Sequence, residues 1–163
     1  MSGRSRPRLS LTVQYAAAAD DLPARSLLRQ WVQAALAPAT RRASVTLRFV
    51  DAAEGRALNR RYRARHHATN VLSFVYDGKP GMCGGDIVLC APVLRSEAAA
   101  QGKPLAAHCA HLVVHGMLHL QGADHDDPTE ATRMEARETA ILAQLGIADP
   151  YGPSTSAQRP GER

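Results

Sequence analysis

Apolar and polar positions alternate near the start of the chain. Leu9, Leu11, Val13 and Tyr15 are interleaved with Ser10, Thr12 and Gln14, the period-2 pattern of a strand with one buried face. The period then lengthens: Leu27, Leu28, Trp31 and Leu36 share one helical stripe, predicting a helix over 23–36 with Pro23 in its first turn. Alternation returns over 45–50 as a second strand. Asp51, with Glu54 three residues on, has the form of a capping box. It opens a short helix to about Arg61, with Leu58 inward and arginines outward. A third strand is predicted over 71–76. A loop carrying Gly78, Pro80, Gly81, Gly84 and Gly85 follows, then a fourth strand over 86–90. Helical periodicity fills the remainder, over 92–100, 104–120 and 128–145, with Gly102, Gly122 and Gly146 as stops. Strands come early and helices late, so the expected class is α+β: one mixed four-stranded sheet packed against helices. Residues 1–151 form the expected single domain. The tail 152–163, rich in Pro, Ser, Gly and Arg, is expected to be disordered.

Charge refines this picture. The net charge is +5, but residues 1–65 hold 13 arginines against 4 acids, a net of +9, while residues 66–163 hold 7 basic and 11 acidic groups, a net of −4. Such asymmetry suits either a polyanion bound on one face or a solvated arginine-rich surface. Cys83, Cys90 and Cys109 are an odd set without C-x-x-C spacing, which excludes a cysteine zinc knuckle and favours buried, reduced thiols. The arginines at 4, 6 and 8 precede strand alternation and not a continuous apolar run, so no signal peptide is read. No segment reaches the roughly 18 apolar residues of a membrane span. The expected setting is soluble and cytoplasmic, with no membrane partner.

The chemistry concentrates in His115-Gly-Met-Leu-His119-Leu-Gln-Gly122-Ala-Asp-His125. Residues four apart on a helix share a face, with Cβ atoms roughly 5–6 Å apart, so His115 and His119 can reach one metal ion at about 2.0–2.1 Å. Gly122 lets the chain turn back and deliver His125 as a third ligand. Three protein ligands leave a position open for water, the arrangement of a catalytic zinc site on a long helix of the C-terminal half and the loop after it. The competing reading, three independent histidines, does not account for the glycine between the second and third. His108 and His111 extend the stripe and are read as packing or supporting groups. The spacing is that of the metzincin proteases, H-E-x-x-H-x-x-G-x-x-H, except that Gly116 stands where those enzymes carry the glutamate base.

Several further motifs occur in order: Leu58-Asn59, Tyr62-Arg63, Thr69-Asn70-Val71-Leu72-Ser73-Phe74, Gly85-Asp86-Ile87, the histidine string, Met134-Glu135, Ile141-Leu142, Leu145-Gly146 and Asp149-Pro150-Tyr151. With these the sequence resembles the YbeY family of bacterial endoribonucleases, over about residues 45–151. Three departures stand out: Val75 where the family has Pro, Ala123 where it has Tyr, and Arg-His-His-Ala at 65–68 in place of a Gly-, Lys- and Pro-rich segment. The resemblance implies a single-strand-specific, metal-dependent RNA hydrolase. It would act on the small-subunit ribosomal RNA precursor and on the RNA of defective ribosomes. Its partners would be ribosomal RNA, the small subunit and its assembly factors, with no DNA expected. The family's essential arginine maps onto Arg63, where a guanidinium could grip phosphate. Arg56, Arg60, Arg61 and Arg65 are candidate RNA contacts. His111, Asp86 and Asp124 are candidates to orient the ligands, Asp124 also being a candidate general base, and Ser73 is assigned to packing. Two alternatives stay open: a zincin-type peptidase, and a ribosome assembly factor with a structural zinc.

Overall fold

A computed structural model describes residues 7–62, 71–76, 79–123 and 127–151. Among these residues four strands and five helices follow one another as β1 (Arg8–Tyr15), α1 (Arg25–Ala34), β2 (Arg42–Val50), α2 (Ala52–Tyr62), β3 (Val71–Val75), β4 (Met82–Cys90), α3 (Ala91–Gln101), α4 (Leu105–Leu120) and α5 (Pro128–Gln144). The strands form one mixed sheet in the order β1-β2-β4-β3. β1, β2 and β4 are parallel, and β3 closes the edge antiparallel to β4. The expected α+β architecture is what the chain adopts.

The two faces of the sheet carry different layers. Val45, Leu47 and Phe49 of β2 and Ile87 and Leu89 of β4 are buried in the main core with Leu28, Trp31 and Val32 of α1 and most of α4. On the opposite face Val50, Val88 and Cys90 form a smaller cluster with Leu58 of α2 and Leu72 and Phe74 of β3. α4 is the central helix. Cys109, Ala110, Val113, Val114, Met117 and Leu118 are fully buried, as expected for a helix apolar nearly all round. The Gln121 amide fastens its end, donating to the Ala35 and Met117 carbonyls at 2.8 and 2.9 Å and accepting from the Ala37 N–H at 2.8 Å.

Two local expectations are corrected. The Asp51 carboxylate caps α2 by accepting from the Glu54 N–H at 2.8 Å, but Glu54 does not complete the box; its carboxylate pairs with Arg48 on β2. Gly84 and Gly85, expected in a loop, lie within β4, which starts at Met82. Close approach is the reason for Gly85: a Cβ there would sit 2.4 Å from the Phe74 carbonyl oxygen and 2.5 Å from Leu120 Cδ2. Glycine in a strand commonly marks such an approach.

The three cysteines are free and buried. Burial raises the thiol pKa of Cys83, and pushes that of Cys109 up to about 12. Both are expected to resist a disulfide-exchange reagent at pH 8 in the native protein and to react at once in denaturant; rapid native labelling of either would contradict this packing. Gly85→Ala is expected to cost about 2 kcal/mol, the scale of overpacking a closed interface, read as a lowered urea midpoint with an unchanged slope.

Candidate metal centre

α4 brings His111, His115 and His119 to one side at successive turns, with adjacent ring centroids 6.3 and 4.6 Å apart. The Nε2 atoms of His115 and His119 face each other at 3.1 Å. The other nitrogen of each ring is engaged. His115 Nδ1 meets the Glu138 carboxylate, and His119 Nδ1 lies 3.0 Å from the Ala123 carbonyl oxygen. A carbonyl only accepts, and a carboxylate held ionised only accepts, so both rings carry a proton on Nδ1; in the neutral rings each Nε2 is then an unprotonated acceptor turned toward the same point. Two lone pairs facing each other repel unless a cation lies between or beside them. Two tetrahedral ligands of a zinc-sized ion would stand about 3.3 Å apart, so the pair fits a metal.

The turn that ends α4 builds half of this geometry. Gly122 takes φ +97°, its N–H bonds the His119 carbonyl, and the Ala123 N–H bonds the Leu118 carbonyl at 2.9 Å. This is the Schellman pattern, which satisfies the last carbonyls of the helix. The same reversal presents the Ala123 carbonyl to the His119 ring.

Glu138 of α5 builds the other half. It is wholly buried, on the same stripe as Met134 and Leu142. One carboxylate oxygen accepts a hydrogen bond from His115 Nδ1–H. The other lies 3.1 Å from His111 Nε2 and accepts from the Tyr151 hydroxyl. Burial alone would raise its pKa; hydrogen bonds from His111, His115 and Tyr151 outweigh that and hold it down at about 2. Burial and the neighbouring carboxylate raise the Tyr151 pKa, so its hydroxyl stays a donor. Sequence reasoning missed Glu138, although an acid at helical spacing between Met134 and Leu142 is a visible anomaly.

The other expected site residues separate into groups. His111 reaches the Glu138 carboxylate, which also meets His115. His108 turns away and pairs with Glu97 at 2.8 Å. Among the described residues Asp86 meets no histidine: it projects from the sheet face opposite α4 and accepts from the Tyr76 hydroxyl. Arg56, Arg60 and Arg61 are exposed on α2, which packs on that opposite face, Gly55 lying against Cys90. Arg63, Arg65, Asp124 and His125 lie outside the described residues. Among the described residues no group of three or more His, Cys, Asp or Glu side chains is placed to hold a metal ion; of the three expected ligands they contain His115 and His119. Gly116 faces the sheet, where a Cβ would lie 3.0–3.3 Å from the Ile87 side chain. The position that holds the base in metzincins is thus inside the helix–sheet interface here.

Paired imidazoles backed by a buried carboxylate and a carbonyl have the arrangement in which histidines are oriented toward a metal ion. The family model for endoribonuclease YbeY matches residues 13–146, and the chain belongs to that family. Curated relatives named endoribonuclease YbeY include those of Thiobacillus denitrificans, 53% identical over 89% of this chain and 97% of the relative. That of Aromatoleum aromaticum is 55% identical over 88% and 93%, and that of Nitrosomonas europaea 54% identical over 88% and 85%. The solution structure of TM1509 from Thermotoga maritima shares the fold, with a TM-score of 0.55 at 17% identity, over 88% of this chain and 99% of that one. The match thus extends well upstream of residue 45, where the motifs first become dense.

Second-sphere partners of metal-bound histidines typically tune affinity 10- to 100-fold. Glu138→Gln is therefore expected to weaken Zn²⁺ retention by about 10- to 100-fold in chelator competition, with the fold intact by circular dichroism. Unchanged retention would show that Glu138 serves packing alone.

Proposed function

We propose that this protein is a zinc-dependent endoribonuclease that cuts single-stranded ribosomal RNA, in maturation of the small-subunit 3′ end and in removal of defective ribosomes, in the cytoplasm. The observation that carries the metal-dependent reading is the convergence of His115 and His119 Nε2 at 3.1 Å. Endoribonuclease chemistry is what the family relatives are named for, and the basic first half of the chain suits a polyanionic substrate.

In this reading His125 joins His115 and His119 as the third ligand. A zinc ion bound by three imidazoles supplies Lewis-acid chemistry, acidifying water and polarising a phosphoryl oxygen. The chain's own residues set the geometry. Glu138 and the Ala123 carbonyl keep both rings in the Nδ1–H form, so each Nε2 remains a ligand and not a donor. Arg63, arriving directly after α2, grips a non-bridging phosphate oxygen and offsets the charge that grows as the phosphodiester is attacked. Arg56, Arg60, Arg61 and Arg65 hold flanking phosphates, and Asp124, next to His125, orients it. With Gly116 closed against Ile87, a metzincin-type peptidase base has no place, and casein is expected to remain uncut.

Cleavage of a single-stranded ribosomal RNA fragment tests this, with metal content measured on the same samples. His119→Ala is expected to lose metal and cleavage together. Arg63→Ala is expected to keep its metal and lose about 10²-fold or more in rate, the scale of removing one charge-stabilising donor. Zinc-loaded wild type that cuts no RNA would contradict the proposal. A 2′,3′-cyclic phosphate product would identify the ribose 2′-OH as the attacking group; a 2′,3′-diol with a 5′-phosphate would identify water.

A further inference from the structure

Three arginines meet at the end of the sheet where β1, β2 and β4 begin. The parallel register sets Arg8 directly beside Arg42, and Arg42 beside Met82. Arg41 precedes them, its guanidinium laid over Gly81, where a Cβ would come within 2.9 Å of Nε. Gly81, at φ +76°, is thus both the turn residue and the space that Arg41 fills. All three arginines are exposed, and none enters an ion pair among the described residues. Like charges opposed across neighbouring strands destabilise a sheet, so this cluster carries a cost that an anionic ligand would relieve.

The cluster is continuous with the histidine site. A cleft of about 410 Å³ has His119, Lys79, Val75 and Met82 on its walls. A second hollow of about 310 Å³, lined by Arg8, Arg41, Arg42 and Met82, adjoins it across Met82. Val75 and Met82 are 52% and 44% exposed, large apolar side chains left open beside four cations. Apolar contact for bases next to cations for phosphates is how unpaired nucleic acid is held without sequence preference. A protein partner would be served by the apolar pair but would leave three adjacent guanidinium groups to be matched by acids.

We propose that the strip from His119 across Met82 to Arg41, Arg42 and Arg8 is a track for the single-stranded substrate beyond the cleaved bond. Lys79 and the three arginines hold successive phosphates, and an unpaired base lies on Val75 and Met82. The proposal rests on the endoribonuclease reading for its ligand, and its arginines stand at the end of the sheet where the parallel strands begin, whereas α2 follows the far end of β2.

The test compares wild type with Arg8→Ala/Arg41→Ala/Arg42→Ala, and with Arg133→Ala as a charge control on the exposed side of α5. Fluorescence anisotropy reads binding of 4- and 12-nucleotide single-stranded oligouridylates across a range of salt, in the zinc-loaded protein. The triple variant is expected to bind the 12-mer about tenfold more weakly and the 4-mer almost as well as wild type. Its log–log salt slope should be shallower by about 0.7 for each phosphate that is no longer neutralised. In cleavage assays KM should rise while kcat stays within about twofold, because these residues touch no reacting atom. Equal 12-mer affinity and equal salt slope in wild type and triple variant would overturn the track. So would a variant that binds RNA normally yet no longer co-sediments with small ribosomal subunits, which would make the strip a protein-docking surface. Wild type that binds with the expected length and salt dependence but never cleaves would instead refute the endoribonuclease reading and leave the track standing.

Discussion

The site depends on one buried carboxylate. Glu138 has no exposed surface, and an ionised acid in such a place costs several kcal/mol unless its oxygens are met by donors. His115, His111 and Tyr151 meet them, and each is thereby fixed. The consequence for chemistry is a choice of tautomer. With the proton of His115 committed to Glu138, and that of His119 to Ala123, two nitrogens that would otherwise exchange roles are both acceptors in the neutral rings. A donor–acceptor contact between two neutral rings would satisfy them, and the backing groups prevent it.

That carboxylate also joins parts of the fold that are far apart in sequence. α4 lies between the sheet and α5, its apolar surface taken up by β4, α1 and α3, and its histidine stripe turned to α5. The glycine at 116 lets the helix rest directly on Ile87, and Gly85 lets β4 receive Leu120. Helix and sheet therefore meet at close range on either side of His119. The Gln121 amide, bonded to three backbone groups at the ends of α1 and α4, holds the turn that carries the Ala123 carbonyl. Position in the core sets the geometry of the His115–His119 pair.

Much of this is legible from periodicity. The alternation of β1 and β2, the stripe of α1 and the long apolar run of α4 each specify an element whose burial depends on its own sequence, and these appear within a few residues of expectation. The histidine pair is legible for the same reason, since helical spacing alone brings i and i+4 together. What escapes depends on partners from other elements. Gly84 and Gly85 carry the chemistry of turn residues, and only the approach of Leu120 and of the β3 backbone explains glycine inside β4. The spacing around Glu54 points to its own helix, whereas its partner, Arg48, stands on a strand. Arg8 and Arg42 are 34 positions apart, and become neighbours only through the register of parallel strands. Glu138 is the one omission that sequence could have flagged, as a charge on an apolar stripe.

Nitrogen-15 NMR of the imidazole rings reads this tautomer choice, because long-range couplings distinguish a protonated nitrogen from an unprotonated or metal-bound one. Both His115 and His119 are expected in the Nδ1–H form at neutral pH, with their Nε2 resonances shifting together on addition of Zn²⁺ and the Nδ1 protons retained. An Nε2–H form in either ring, persisting when zinc is added, would contradict it.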